Sequence, residues 1–335
     1  MRSGSAKAGH RIESKSLPAI GLLTETLFII NPVSGGGASL KAWRAARPAL
    51  LAAGLSISEH CTARAGEAIE VTRAALTQGI TRIIAVGGDG TLSEVVNGYL
   101  NDDGRAINQD AAIGILPSGT GADFCKTLGI VSLQQAIRVI NGSAIKITDA
   151  GRITLNDKSG QPYTRAFINL ASFGLGGDTA MFVNRWRGSR SRLLKGQAKY
   201  AFAALRALDR YRNHCVRVRF DQQGEVEIES NLVVVANGKY AGGGMMLAPH
   251  AQLDDGMFDV ILADGATRWD IIKELPRIGR GGHLKNPKVS EHRARRVSIT
   301  AASPLTIDLD GDFTGYTPAE LIVLPSTVKL LTSGK

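Results

Sequence analysis

The chain has 335 residues and a formal charge of +10, with 44% hydrophobic and 21% charged residues. That length exceeds a single ordinary core and fits two domains, and the composition excludes disorder as the default state. No apolar run reaches the roughly 18–20 residues that span a bilayer. The cysteines Cys61, Cys125 and Cys215 lie far apart without CxxC spacing, which excludes a disulfide framework or a cysteine zinc site and points to a reducing cytosol.

Residues 1–24 are basic with a brief apolar patch and read as a loosely ordered extension, not a signal peptide. From Leu27, short apolar runs (LFII at 27–30, LSIS at 55–58, RIIAV at 82–86, AIGIL at 112–116) alternate with helical patterns at 38–53, 66–78, 92–100 and 131–141. Such alternation predicts a parallel sheet covered by helices. From about residue 145 strand patterns follow one another: IKITDAGRITL, YTRAFINLASFG, VRVRF, LVVVANG, FDVILA, RVSIT, LTIDLD and ELIVL. Helical patterns at about 178–187, 195–212 and 268–278 interrupt them, and the whole predicts a mainly antiparallel β domain. The expected division is an α/β domain at 25–148 and a β-rich domain at 149–335, whose last segment, about 316–333, is placed as one that can pack back on the first.

Three loops carry the chemistry of the first domain. Asn31-Pro32-Val33-Ser34-Gly35-Gly36-Gly37, Gly87-Gly88-Asp89-Gly90-Thr91 and Leu116-Pro117-Ser118-Gly119-Thr120-Gly121 each follow a strand and precede a helix. In an open α/β sheet such loops share the carboxyl edge, where ligands sit, and helix starts offer free N–H groups to a phosphate. The Rossmann pattern fails, because Ser93 stands where the third glycine belongs, and no Walker A loop exists. A tight strand-to-helix turn is the plain alternative for any one loop; three in register predict a nucleotide phosphate site. Asp89 would repel a phosphate, so it is read as serving a metal ion or orienting a hydroxyl. In the second domain, alternation along IDLDGD puts Asp310 and Asp312 on one face, where paired carboxylates would hold a base near an acceptor. An Asp-Gly hairpin turn satisfies that spacing equally well.

The motifs NPVSGGG, VGGDGTLSEVVNG and LPSGTGADF resemble the diacylglycerol kinase catalytic-domain family, the soluble bacterial lipid kinases related to sphingosine kinases. FINLASFGLGGD (167–178), VVVANGKYAGGGMMLAPHAQLDDGMFDV (233–260) and IDLDGD (307–312) extend the resemblance over roughly residues 25–325. It implies an NAD-kinase/phosphofructokinase-like α/β domain, an antiparallel β-sandwich, and an active site in the cleft between them. It implies ATP-dependent phosphorylation of a lipid hydroxyl, first diacylglycerol to phosphatidic acid. ATP contacts carry over to Asn31, Pro32, Ser34, Gly35, Thr62, Gly87, Gly88, Asp89, Gly90, Thr91, Ser93 and Thr120. The base carries over to Asp312, with Asp310 and Asp89 assisting. A structural Mg²⁺ carries over to Asp255 and the backbone oxygens of Gln252 and Met257, with Asp123 linked through water. Two positions depart: Ala122 replaces the usual Asn, and Asp312 replaces the usual Glu. The rivals are a soluble kinase of NAD type and a nucleotide-binding regulatory protein without catalysis.

The charge is uneven. Residues 185–214 hold nine Arg or Lys against one Asp, and residues 276–296 hold seven against one Glu. Basic stretches with aromatic anchors suit an anionic membrane surface. No nucleic-acid motif supports the alternative. The expectation is a cytoplasmic enzyme reversibly associated with the membrane; a homodimer is left open.

Overall fold

The computed structural model describes residues 25–118, 122–185, 197–221 and 224–334. The first domain opens with β1 (Thr26–Ile30), every residue of it buried, then α1 (Ala38–Ala52) and β2 (Ile57–Cys61). α2 (Glu67–Thr77), β3 (Arg82–Gly87), α3 (Asp89–Tyr99) and β4 (Ala112–Pro117) follow, then α4 (Asp123–Thr127) and α5 (Leu133–Asn141). The four strands pair in parallel in the order β2-β1-β3-β4. Continuous apolar runs such as Ile83–Val86 are what a strand covered on both faces requires. The second strand starts two residues later than LSIS suggested, because Leu55 packs only partly against the core and the ladder begins where Thr26 meets Ile57.

β5 (Ile145–Asn156) begins the second domain, followed by β6 (Pro162–Phe167), β7 (Leu170–Gly174), α6 (Leu175–Arg185) and α7 (Gln197–Asp209). Next come β8 (His214–Phe220), β9 (Gly224–Ser230), β10 (Leu232–Ala236) and the short β11 (Tyr240–Ala241) and β12 (Met245–Met246). The chain ends with β13 (Phe258–Ala263), α8 (Arg268–Ile278), β14 (Val289–Ala294), β15 (Arg296–Ala301), β16 (Thr306–Leu309) and β17 (Asp312–Leu331). One layer runs β14-β13-β10-β7-β16; the other runs β9-β8-β15-β17-β5-β6. Phe167, Phe173, Val218, Val235, Phe258, Ile299 and Leu321 share the core between the layers, with Phe167 and Phe258 stacked at 5.6 Å.

β17 is the seam of the molecule. Its start pairs with β16, its middle with β15 and β5, and near its end Leu330 pairs in parallel with Ile113 of β4. On the outer face of the β7–β10 layer, α6, α7 and α8 share an apolar cluster of Leu175, Ala207 and Leu208 with Ile271 and Ile272. No helix among the described residues is long and apolar enough to cross a membrane.

Candidate active site

The three glycine loops meet, and hydroxyls stitch them together. The Gly88 N–H donates to Ser34 Oγ (3.1 Å), the Ser118 N–H to the Gly87 carbonyl (3.0 Å), and Ser118 Oγ lies 3.4 Å from Ser34 Oγ. Asn31 N–H reaches the Val86 carbonyl at 3.1 Å and Thr62 N–H the Ile30 carbonyl at 2.9 Å, so both stand at the same strand edge. Gly35, Gly36 and Gly37 all take left-handed backbone (φ 59°, 67° and 92°), which bends the chain from β1 into α1 just after Pro32 and would strain any side chain. α1 and α3 begin with no side-chain cap, leaving their first N–H groups directed at this edge. Thr91 and Ser93 are buried in the first two turns of α3. Thr120 lies outside the described residues.

Asp89 does something more specific than screening a metal. Its carboxylate accepts the N–H groups of Asp123 (3.0 Å) and Phe124 (3.1 Å), the first two of α4. Ala122, at the cap position of α4, supplies no side-chain acceptor, and Asp89 caps the helix from across the sheet. Burial, then the neighbouring Asp123 carboxylate, push the Asp89 carboxyl up to about 8.

The DGD segment corrects the alternation argument. Leu309 pairs with Asp312 across a two-residue turn in which Asp310 and Gly311 both have positive φ (52° and 90°). This is the backbone of a type I′ hairpin, so the two carboxylates do not share one strand face. The buried Asp310 accepts N–H groups from Ile168 (3.1 Å), Asn169 (3.0 Å) and Leu170 (3.2 Å). That is why the run YTRAFINLASFG breaks into β6 and β7 at Ile168-Asn169. Burial raises the Asp310 carboxyl above its ordinary value, against the pull of these N–H donors.

Asp312 points at the phosphate loop. A methyl group at Gly90 would lie 2.7 Å from Asp312 Oδ2, so that glycine is the space the carboxylate occupies. GGDGT and DGD, one from each domain, therefore stand against each other.

The residue missed in the sequence is Asp308. Ile307 and Leu309 face the sandwich core, so Asp308 faces the other way, toward Asp312, Asp310 and Asp89. It is buried, and one of its oxygens lacks a hydrogen-bond partner. Burial and the carboxylates of Asp312, Asp310 and Asp89 raise its carboxyl well above the ordinary range. The signal was present as a polar residue within an otherwise apolar strand.

The remaining acidic residues do other work. Asp123 places its oxygens on Lys126 Nζ (2.7 Å) and the Gly243 N–H (2.6 Å), tying α4 to the β11–β12 hairpin, where the resemblance had implied a water link to magnesium. Asp255 accepts the Met257 N–H at 3.0 Å and pairs with Arg293. The loop around it is fixed by buried Asp149, which accepts N–H groups from Gly256 and Ser326 at 2.7 Å each. Among the described residues no three His, Cys, Asp or Glu side chains converge to hold a metal. The donor set at this loop, one carboxylate with the Gln252 and Met257 carbonyls, still fits a hard cation in kind, and the Arg293 guanidinium stands in for one on Asp255.

The profile of the diacylglycerol kinase catalytic domain matches residues 25–153, and that of the YegS C-terminal NAD kinase beta sandwich-like domain matches residues 172–332. The diacylglycerol kinase of Bacillus subtilis (strain 168) is 32% identical over 303 residues, covering 89% of this chain and 92% of that protein. The chain belongs to the diacylglycerol kinase family. A diacylglycerol kinase of Mycobacterium tuberculosis (strain ATCC 25618 / H37Rv) is 28% identical over 305 residues, 90% of this chain and 93% of that protein. A crystal structure of a diacylglycerol kinase from Bacillus anthracis str. Sterne shares the fold, with a TM-score of 0.68 at 22% identity over 92% of this chain and 97% of that one. Membership in the diacylglycerol kinase family makes the chain a kinase and matches the α/β domain plus β-sandwich described above.

Proposed function

We propose that the chain transfers the γ-phosphoryl group of Mg-ATP to a lipid hydroxyl, with diacylglycerol as the acceptor and phosphatidic acid as the product. The observation that carries this reading is the approach of Asp312 to Gly90, which sets a carboxylate beside a glycine loop suited to phosphates. The names of the relatives support the choice of acceptor.

In this reading Ser34, Gly35 and Thr62 with the Gly87–Ser93 loop and Thr120 receive the triphosphate through backbone N–H groups and hydroxyls, and Asn31 and Pro32 shape the first loop around it. Asp312 orients the acceptor hydroxyl and takes its proton as the phosphoryl group moves. Asp308, whose carboxyl is raised well above the ordinary range by burial and its carboxylate neighbours, gives up negative charge more readily than an ordinary carboxylate beside the triphosphate. Asp310 and Asp89 position: the first holds the 168–170 turn, the second holds α4 and the third loop. A structural Mg²⁺ would be held by Asp255 and the carbonyls of Gln252 and Met257, and would supply rigidity to that loop.

The test is transfer of labelled γ-phosphate from Mg-ATP in mixed micelles containing diacylglycerol, a sphingoid base or phosphatidylglycerol, with NAD offered in a lipid-free arm. Label on diacylglycerol supports the reading. Label on NAD alone rejects it.

A further inference from the structure

The motif VGGDGTLSEVVNG runs on past the phosphate loop, and Asn97 near its end has no part in the chemistry proposed above. Gly90, Ser93 and Asn97 recur at three and four residues and so share one face of α3. That face meets the second domain three times. Gly90 leaves room for Asp312, Ser93 puts its hydroxyl beside the Asp310 carboxylate, and Asn97 meets the backbone of Ala166 on β6. The Asn97 contact is bidentate: Nδ2 donates to the Ala166 carbonyl at 2.9 Å, and Oδ1 accepts the Ala166 N–H at 3.0 Å. Among the described residues β6 pairs only with β5, so the Asn97 amide takes the place of a strand on its outer edge. The same Nδ2 donates to the Ser93 carbonyl at 2.8 Å, which fixes the side chain in this orientation. On another side α3 is seated against α2, where a methyl group at Gly98 would lie 2.5 Å from the Ile69 carbonyl.

We propose that Asn97 is a positioning residue for phosphoryl transfer, holding β6 at the spacing from α3 that brings Asp312 to the Gly90 end of that helix. The role rests on the lipid-kinase reading. Just beyond Ala166, the N–H groups of Ile168, Asn169 and Leu170 hold Asp310, the first residue of the turn that ends at Asp312. The path from Asn97 to the base therefore runs through backbone hydrogen bonds and one tight turn. Phe167, fully buried and stacked on Phe258, keeps the intervening chain in place. Gly90 and Asn97 lie about 10 Å apart along the helix axis. Contacts at both positions fix the angle between the domains at the site as well as their separation. Without the Asn97 amide β6 is free to shift, and a misplacement of about 1 Å at the reacting groups costs on the order of 100-fold in rate.

The experiment compares the wild type with Asn97→Leu, which keeps the size and removes the amide, and Asn97→Ser, which stays polar but is too short to reach both groups of Ala166. Tyr99→Phe is the control: it removes the bond from Tyr99 Oη to the Ala111 carbonyl, on the same helix but within the first domain. Turnover of diacylglycerol in mixed micelles, KM for ATP, the urea midpoint and amide hydrogen exchange over residues 162–170 are measured on each. Both Asn97 variants are expected to lose about 10–100-fold in kcat, with KM for ATP within about twofold and faster exchange over 162–170. Tyr99→Phe is expected to lower the urea midpoint and keep the wild-type kcat. Asn97→Leu/Asp312→Asn is expected to be no slower than Asp312→Asn alone, because the amide acts through that carboxylate. Wild-type kcat in both Asn97 variants overturns the proposal. So does a multiplied loss in the double variant, or an equal fall of kcat in Tyr99→Phe, either of which makes the contact structural only. If the wild type phosphorylates no diacylglycerol, the kinase reading fails and the positioning role falls with it. An active wild type with unaffected Asn97 variants sinks the positioning role alone.

Discussion

Gly90 and Asp312 show how one missing methyl group joins two domains. The glycine of GGDGT is commonly explained by a phosphate, yet here its absent Cβ is filled by a carboxylate oxygen from the other domain. Gly90→Ala is therefore expected to push Asp312 aside and lower turnover about 100-fold, with only a small change in melting temperature. An alanine variant of wild-type activity would show that the approach is incidental. Asp308 yields a second prediction. Its carboxyl is raised above the unfolded value near 3.8, so its contribution to stability is complete below that pH and is lost as pH rises through the folded value. Asp308→Asn cannot ionise, so its denaturation midpoint is expected to decline less steeply than the wild type's toward alkaline pH. Parallel curves for the two proteins would contradict the raised carboxyl of Asp308.

At the scale of elements, the DGD hairpin and the β6–β7 break are one construction. Asp310 accepts three backbone N–H groups that would otherwise be buried without partners. Asp310→Ala is expected to cost about 3–5 kcal/mol, measured by urea denaturation, with Asp310→Asn in between because it keeps one oxygen. Apart from the five-residue α4, too short to show a period, the strands and helices of the first domain were legible because apolar runs and 3.6-residue periods alternate. Other features were not, and two of them are instructive. β9, GEVEIES, carries glutamates on its solvent face that form cross-strand pairs such as Glu227–Arg217, so local apolarity fails to mark it. Asp310 was read on a strand face because alternation assumes extended backbone, while its positive φ places it in a turn. In the site itself, the loops could be named from glycine and hydroxyl content. The partnerships Asp89–α4 and Asp312–Gly90 depend on chain segments far apart in sequence, which no local pattern encodes.

For the whole molecule, β17 decides how the domains behave together. One strand pairs with the sandwich over most of its length and reaches β4 of the parallel sheet at Leu330. Both domains are expected to unfold in a single transition, with far-UV dichroism and tryptophan fluorescence giving coincident curves. Two separated transitions would mean that the seam does not couple them. The buried Leu330 lies at the junction, and Leu330→Ala is expected to lower the stability of that common transition by about 2–5 kcal/mol.

The central claim is that a phosphate cradle from one domain and the Asp312 carboxylate from the other form a single catalytic site. Its most direct test is γ-phosphoryl transfer to diacylglycerol by wild type and Asp312→Asn, with ATP binding measured on both. Unchanged ATP binding and turnover reduced by about 10²–10⁴ are expected in the variant. Full turnover by Asp312→Asn would contradict it.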